Sequence, residues 1–316
     1  MRYAAGALLV ALTSASLLAQ PELSSLKGNV ARIDAGSRTG FGFIVGLADY
    51  DLLIATAWHT LQDLTSDTVT VCFPQRDELC GPGIVAYVAD AIGSQPAIDL
   101  AIVRTPYPAG LVWRPDALGG KPRLGDPVWF IGRSREWYVP REPGRVTAFD
   151  AAKQLLSYTG LEVAEGVSGA PILSPNGIVA MHVESVGAGG EARGVDVQAI
   201  HHRVVEGLRA RWLLVPRGQC DKQSPHALVL AGRNIVVHLD RAQPEAGLHA
   251  IAQLNCLGAT ALPRPIGSNE SWPGNRIRYA SGELRLARTV QSLLTSLARM
   301  DTRLGNAEGG LEIWVR

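Results

Sequence analysis

The chain has 316 residues, 47% of them hydrophobic and 19% charged, which suits one or two globular domains with sizeable cores. Its 30 basic and 29 acidic side chains nearly cancel, for a formal net charge of +1. That balance gives no electrostatic basis for binding nucleic acid or an anionic surface.

Residues 1–19 carry one early arginine and then an uncharged run from Tyr3 to Ala19. They read as a secretory signal peptide cut near Ala19, which predicts a secreted or periplasmic protein. The rival reading is an uncleaved membrane anchor, for which the run is short. Export gives the four cysteines a structural meaning. Cys72 and Cys80 close the small loop CFPQRDELC, consistent with a disulfide across a hairpin, and Cys220 and Cys256 would then pair. Four cysteines allow three connectivities, and proximity favours this one. A zinc site is the alternative, but no C-x-x-C or paired Cys/His spacing occurs.

From about Leu26 to Gly190, short apolar runs such as FGFIVGL, TVTVCF, LAIVRT and GIVAMHV alternate with Gly, Pro, Asp and Asn. This pattern predicts an all-β barrel or sandwich pair. Val195 to Leu214 shifts to helical spacing, with Val197, Ile200, Val204 and Leu208 on one stripe. The adjacent His201 and His202 point about 100° apart on such a helix and suit solvent better than a shared metal. Residues 215–226 read as a linker. Residues 227–316 then twice repeat the order strand, helix, strand, first from NIVVHL and again from RIRYAS through ELRLARTVQSLLTSLARM to GLEIWVR. This predicts a small α/β module of unknown role.

Three motifs carry the chemistry. EGVSGAPILS places Ser168 between Gly166 and Gly169, ahead of Pro171 and a strand. Glycines on both sides leave the hydroxyl and the neighbouring N–H groups bare, as a nucleophile beside an oxyanion hole requires. The spacing does not fit a G-x-S-x-G elbow, and Pro171 blocks the helix that should follow one. Upstream, FGFIVGLADYDLLIATAWHTL ends an apolar strand at His59, and AIDLAIVRT opens another with Asp99. The order His59, Asp99, Ser168, with separations of 40 and 69 residues, resembles the trypsin-like (chymotrypsin-fold) serine peptidases. Their hallmarks are G-x-G-F leading to T-A-x-H, D-L-A-[LIV], and G-x-S-G-x-P. The resemblance covers roughly residues 26 to 210.

The resemblance implies a mainly β fold: a double β-barrel peptidase domain over 22–214, followed by the α/β module. It also implies a protein or peptide substrate and an acyl-enzyme route. Ser168 would attack, His59 would carry the proton and Asp99 would orient the imidazole, while the N–H groups of Gly166 and Ser168 bind the oxyanion. Strand GIVAMHV would run along the substrate, with Ala180, Met181 and His182 near the specificity pocket. Glutamyl endopeptidases place a histidine at a similar point, so His182 could meet a glutamate carboxylate, and Glu162 is a second candidate for the pocket wall. Val167 stands where the digestive members carry an aspartate, so their activation by a freed N-terminus is not expected. The sequence looks closer to the bacterial HtrA-type and glutamyl-endopeptidase-type branches, although its C-terminal part shows no PDZ pattern. A catalytically inert protease-fold scaffold and an esterase are the rival functions. No Walker loop or Rossmann fingerprint occurs, and neither cofactor nor metal is implied.

Overall fold

The structure is a computed structural model that describes residues 23–48, 51–74, 78–89, 98–108, 111, 113–186, 190–217, 225–240, 244–267, 271–294, 299–307 and 310–316. The expected signal peptide lies outside these residues, as does Cys220. No helix among the described residues is long and apolar enough to cross a membrane. The chain divides into two compact units: residues 1–106 with 117–217, and residues 107–116 with 218–316.

The first unit contains two closed six-stranded antiparallel barrels. The first barrel uses β1 (Val30–Ala35), β2 (Arg38–Ala48), β3 (Asp51–Thr56), β4 (Thr68–Phe73), β5 (Leu79–Val88) and β6 (Ala101–Pro106). Their order is β1-β4-β5-β6-β3-β2, and pairing of β1 with β2 closes the ring. Ile33, Phe41, Phe43, Ile54 and Val103 are buried in it, as alternating and continuous apolar runs require when closure leaves no wet interior. Cys72 and Cys80 are register partners across β4 and β5 and form a disulfide. Cys256 is also disulfide-bonded. The one cluster of metal-type ligands among the described residues is Cys72, Glu78 and Cys80, and the disulfide takes both of its sulfurs.

The second barrel comprises β7 (Pro127–Phe130), β8 (Gly144–Asp150), β9 (Leu155–Thr159), β10 (Pro171–Ser174), β11 (Gly177–Val186) and β12 (Glu191–Asp196), in the order β10-β11-β12-β9-β8-β7. Trp129, Phe130, Tyr158, Ile172 and Met181 are buried in this unit. The helical stripe expected from Val195 to Leu214 is shorter in the structure. Asp196 ends β12 and caps helix α1 (Val197–His202), accepting from the Gln198 N–H at 3.2 Å. A π-helical turn, Arg203–Gly207, ends it, and β13 (Arg211–Trp212) then pairs with β2 of the first barrel. Of the stripe, Val197, Ile200 and Val204 are buried helical core, Leu208 caps the π-helical turn, and the helical path stops at Arg209, which has φ 51°. His201 packs edge-on against Trp212, with ring centroids 4.9 Å apart.

The second unit holds one five-stranded sheet. Its elements are α2 (Pro225–Leu230), β14 (Asn234–Leu239), α3 (Glu245–Cys256), β15 (Thr260–Pro265), β16 (Arg276–Tyr279), α4 (Leu284–Leu294), β17 (Asp301–Leu304) and β18 (Leu311–Val315). The strand order is β15-β14-β18-β16-β17. β14 and β15 are parallel, as are β16 and β17, so two strand–helix–strand passes are present. The second pass does not end in GLEIWVR as the sequence suggested. It ends in β17, and GLEIWVR enters the centre of the sheet as β18, parallel to β14 and antiparallel to β16. The reason is burial: all five residues of β18 are buried, which suits a strand with neighbours on both sides, whereas β17 is a polar edge.

Candidate active site

The three candidate catalytic side chains meet where the two barrels face each other. β3 ends at Thr56, Ala57 stays extended, and a single 3-10 turn, Trp58–Thr60, carries His59. Asp99 precedes β6 by two residues. Both Asp99 oxygens are used: Oδ1 accepts from the His59 backbone N–H at 2.9 Å and Oδ2 lies 2.6 Å from His59 Nδ1. Because a carboxylate only accepts, Nδ1 carries the ring proton and Nε2 presents its lone pair. That lone pair lies 2.7 Å from Ser168 Oγ. The His59 and Asp99 side chains are half-buried, at 34% and 31% exposure, so solvent still reaches the site.

The serine loop is tied to both barrels. Ser168 O accepts from the Phe41 N–H of β2 at 2.8 Å, and the Gly169 N–H donates to His182 O of β11 at 2.8 Å. Gly169 has φ +81°, and a Cβ there would lie 1.9 Å from Phe41 O, so only glycine fits. Gly166 also has φ +79°, but a Cβ would meet nothing closer than Thr39 O at 3.5 Å. Its constraint is the left-handed backbone alone. Among the described residues, neither the Gly166 nor the Ser168 N–H donates to a protein acceptor. Val167 between them is buried.

A cleft of about 620 Å³ opens at this point, lined by His59, Gly166 and Ser168 together with Arg38, Thr39, Ser134, Arg135 and Glu165. Arg38 donates to the His59 carbonyl at 2.6 Å and pairs with Asp63. Sequence reading missed Arg38, Thr39, Ser134 and Arg135. Arg38 and Thr39 open a strand and read as ordinary polar ends, and the turn IGRSREW has no Asn-Gly or Gly-Gly pair to announce it.

The candidate specificity residues are placed elsewhere. Ala180, Met181 and His182 lie on β11 and are buried, and none of them lines this cleft. Glu162 is exposed and forms a two-pronged pair with Arg133, at 3.0 and 3.1 Å. His182 Nδ1 lies 2.6 Å from Tyr158 Oη. Burial pushes the Tyr158 phenol well above its ordinary value, so it remains an O–H donor and Nδ1 accepts. Burial also pushes the His182 imidazole down to about 4; the nearby His59 lowers it further and Asp99 opposes this. His182 is therefore neutral at pH 7, with its proton on Nε2.

This has a consequence for stability. The unfolded chain protonates His182 near its ordinary value of 6.5, whereas the folded chain resists until about 4. Stability is therefore full above pH 6.5 and falls as pH drops towards 4, by about 2–3 kcal/mol at pH 4.5. Denaturant titrations at pH 7 and 4.5 should show a smaller fall in His182→Gln than in the native chain. An equal fall in both would refute the shift.

Residues 40–180 match the family model described as "Trypsin-like peptidase domain". The chain carries a trypsin-like peptidase domain. The domain spans most of both barrels and all three candidate catalytic residues. Among solved structures, the peptidase domain is similar to the serine endoprotease from Yersinia pestis, at 18% identity and TM-score 0.47, covering 60% of this chain and 66% of that one. It is similar to Deg5 at 16% identity and TM-score 0.47, covering 60% and 96%. A human pathogenic astrovirus serine protease matches at 21% identity and TM-score 0.40, covering 54% and 90%. No curated protein sequence matches the chain.

Proposed function

We propose that this chain is an exported serine endopeptidase working through His59, Asp99 and Ser168. The observation that carries the reading is the continuous hydrogen-bonded chain from Asp99 through His59 to Ser168, at 2.6 and 2.7 Å, inside a peptidase domain. Ser168 Oγ attacks the scissile carbonyl carbon while its proton passes to His59 Nε2. Asp99 accepts from Nδ1–H throughout and stabilises the imidazolium that forms. The carbonyl oxygen becomes an oxyanion and accepts from the Gly166 and Ser168 N–H groups, each worth about 2.7–4 kcal/mol in the transition state. As the C–N bond breaks, His59 returns the proton to the leaving amine and an acyl-Ser168 ester remains. Water, deprotonated by His59, releases the acid. Export is supported by the Cys72–Cys80 disulfide, which persists in oxidising compartments.

On the acyl side, His182 gives the preference. Its Nε2–H is a neutral donor fixed by Tyr158, and it lies close enough to His59 and Asp99 to feel their charges. A side chain that accepts a hydrogen bond, glutamate or glutamine, answers it, and a basic side chain does not.

A fluorophosphonate probe should label the native chain and not Ser168→Ala, and a mixed peptide library should be cut after glutamate or glutamine. Absence of labelling in well-folded protein would favour an inert scaffold. Turnover of short acyl esters with no peptide cleavage would indicate an esterase, and cleavage after basic residues would remove the role of His182.

A further inference from the structure

In the reaction proposed above, His59 hands its proton to the departing amine, so substrate residues beyond the scissile bond extend past His59, away from β11. The cleft lies on that side: His59, Gly166 and Ser168 line it and no residue of β11 does. Arg135 stands at its edge on a two-residue turn, in which Arg133 and Glu136 exchange backbone hydrogen bonds of 2.9 and 2.8 Å. Both turn residues are left-handed, Ser134 at φ 47° and Arg135 at φ 73°, and neither is a glycine. Side chains with a Cβ avoid this region unless surrounding contacts enforce it.

Those contacts are present, and they aim the guanidinium. Arg32 donates to the Arg135 carbonyl at 3.3 Å. Arg135 Nε donates to Thr39 Oγ1 at 3.3 Å, and Thr39 in turn donates to Asp34 at 2.9 Å. Arg135 is thus held through its backbone and through Nε, which leaves the Nη edge free to grip a carboxylate in two-pronged fashion. Among the described residues no carboxylate pairs with it. Arg38, the other cation lining the cleft, already pairs with Asp63.

We propose that Arg135 selects a single acidic side chain at the first or second substrate position after the scissile bond. The proposal rests on Ser168 being the nucleophile. Glu165 also lines the cleft and repels a second negative charge there, so one acid is accepted and two are not. Because Arg135 is exposed, the preference is moderate and sensitive to salt.

The test uses quenched fluorogenic peptides that differ only by glutamate or glutamine at those two positions. The native chain should favour glutamate by about three- to tenfold in kcat/KM at low salt, falling towards parity at high salt. Arg135→Asn removes the charge while tolerating a left-handed backbone, and should bring the ratio within about twofold of parity. Arg135→Asp should invert it and favour glutamine. A ratio near one in the native chain at low salt, or an unchanged ratio in Arg135→Asn, overturns the proposal. An acyl-aminocoumarin amide has no residue after the scissile bond and separates the two levels. Its turnover without any acidic preference defeats the role of Arg135 alone. Absence of both turnover and fluorophosphonate labelling defeats the hydrolase reading, and this inference with it.

Discussion

Ser168→Ala and His59→Ala should each lower peptide hydrolysis by roughly 10⁴- to 10⁶-fold while the chain stays folded. The loss is large because the two groups act as one unit: without Nε2 the Ser168 hydroxyl keeps its proton, and without Oγ the imidazole has nothing to deprotonate. For the same reason the double variant should be little worse than either single one, with the remaining rate supplied by the Gly166 and Ser168 amides. Both side chains are part-buried and bonded mainly to each other and to Asp99, so thermal midpoints should move little. Steady-state kinetics on one peptide, with melting curves for each variant, decide the matter. Near-native rates in either variant would remove the triad.

Gly169→Ala should be the most damaging single-methyl change in the peptidase domain. The added Cβ would sit 1.9 Å from Phe41 O and 2.6 Å from Thr56 Oγ1, at φ +81°. Those two atoms are themselves bonded at 2.7 Å, so neither can yield cheaply. Strained backbone and overpacking together cost roughly 3–5 kcal/mol. Any relief moves Ser168, and a displacement of about 1 Å costs about 100-fold in rate. Gly166→Ala is the comparison, since space exists there and only the left-handed backbone resists, at about 1–2 kcal/mol. Denaturant midpoints for the pair should differ clearly, and equal midpoints would show that the contact with Phe41 does not constrain the loop.

The three side chains that meet in the cleft were legible as candidates because each sits where local sequence is least ambiguous. His59 follows a buried strand end, Asp99 opens another buried strand, and Ser168 is flanked by glycines ahead of Pro171. The two barrels were legible from short apolar runs broken by turn residues. The second unit was legible only in outline. β17, DTRL, has no apolar alternation because it is an exposed edge, so the last helix seemed to lead directly to GLEIWVR. The stretch after Asp196 read as one helix because its apolar spacing continues to Leu208. The end of the helix is set by the left-handed backbone of Arg209 and the pairing of Arg211 and Trp212 with β2, which helical periodicity does not encode. Arg38 and Arg135 were invisible for a different reason. Each reaches His59 or its cleft through tertiary contacts across 21 to 96 residues of chain, and nothing in local pattern encodes a reach of that kind.

The returning strand β13 has a bearing on how the Ser168–His59 contact survives thermal motion. After completing the second barrel, the polypeptide doubles back and buckles Arg211 and Trp212 onto Leu47 and Gly46 of the first, with the Trp212 indole N–H fastened to Leu214 O at 2.8 Å. Ser168 and His59 come from separate barrels, and this clasp, together with the Phe41–Ser168 bond, resists their drifting apart. Breathing that parted the barrels would have to open both fastenings at once, so the hydroxyl and the imidazole keep their spacing for as long as the clasp stays shut.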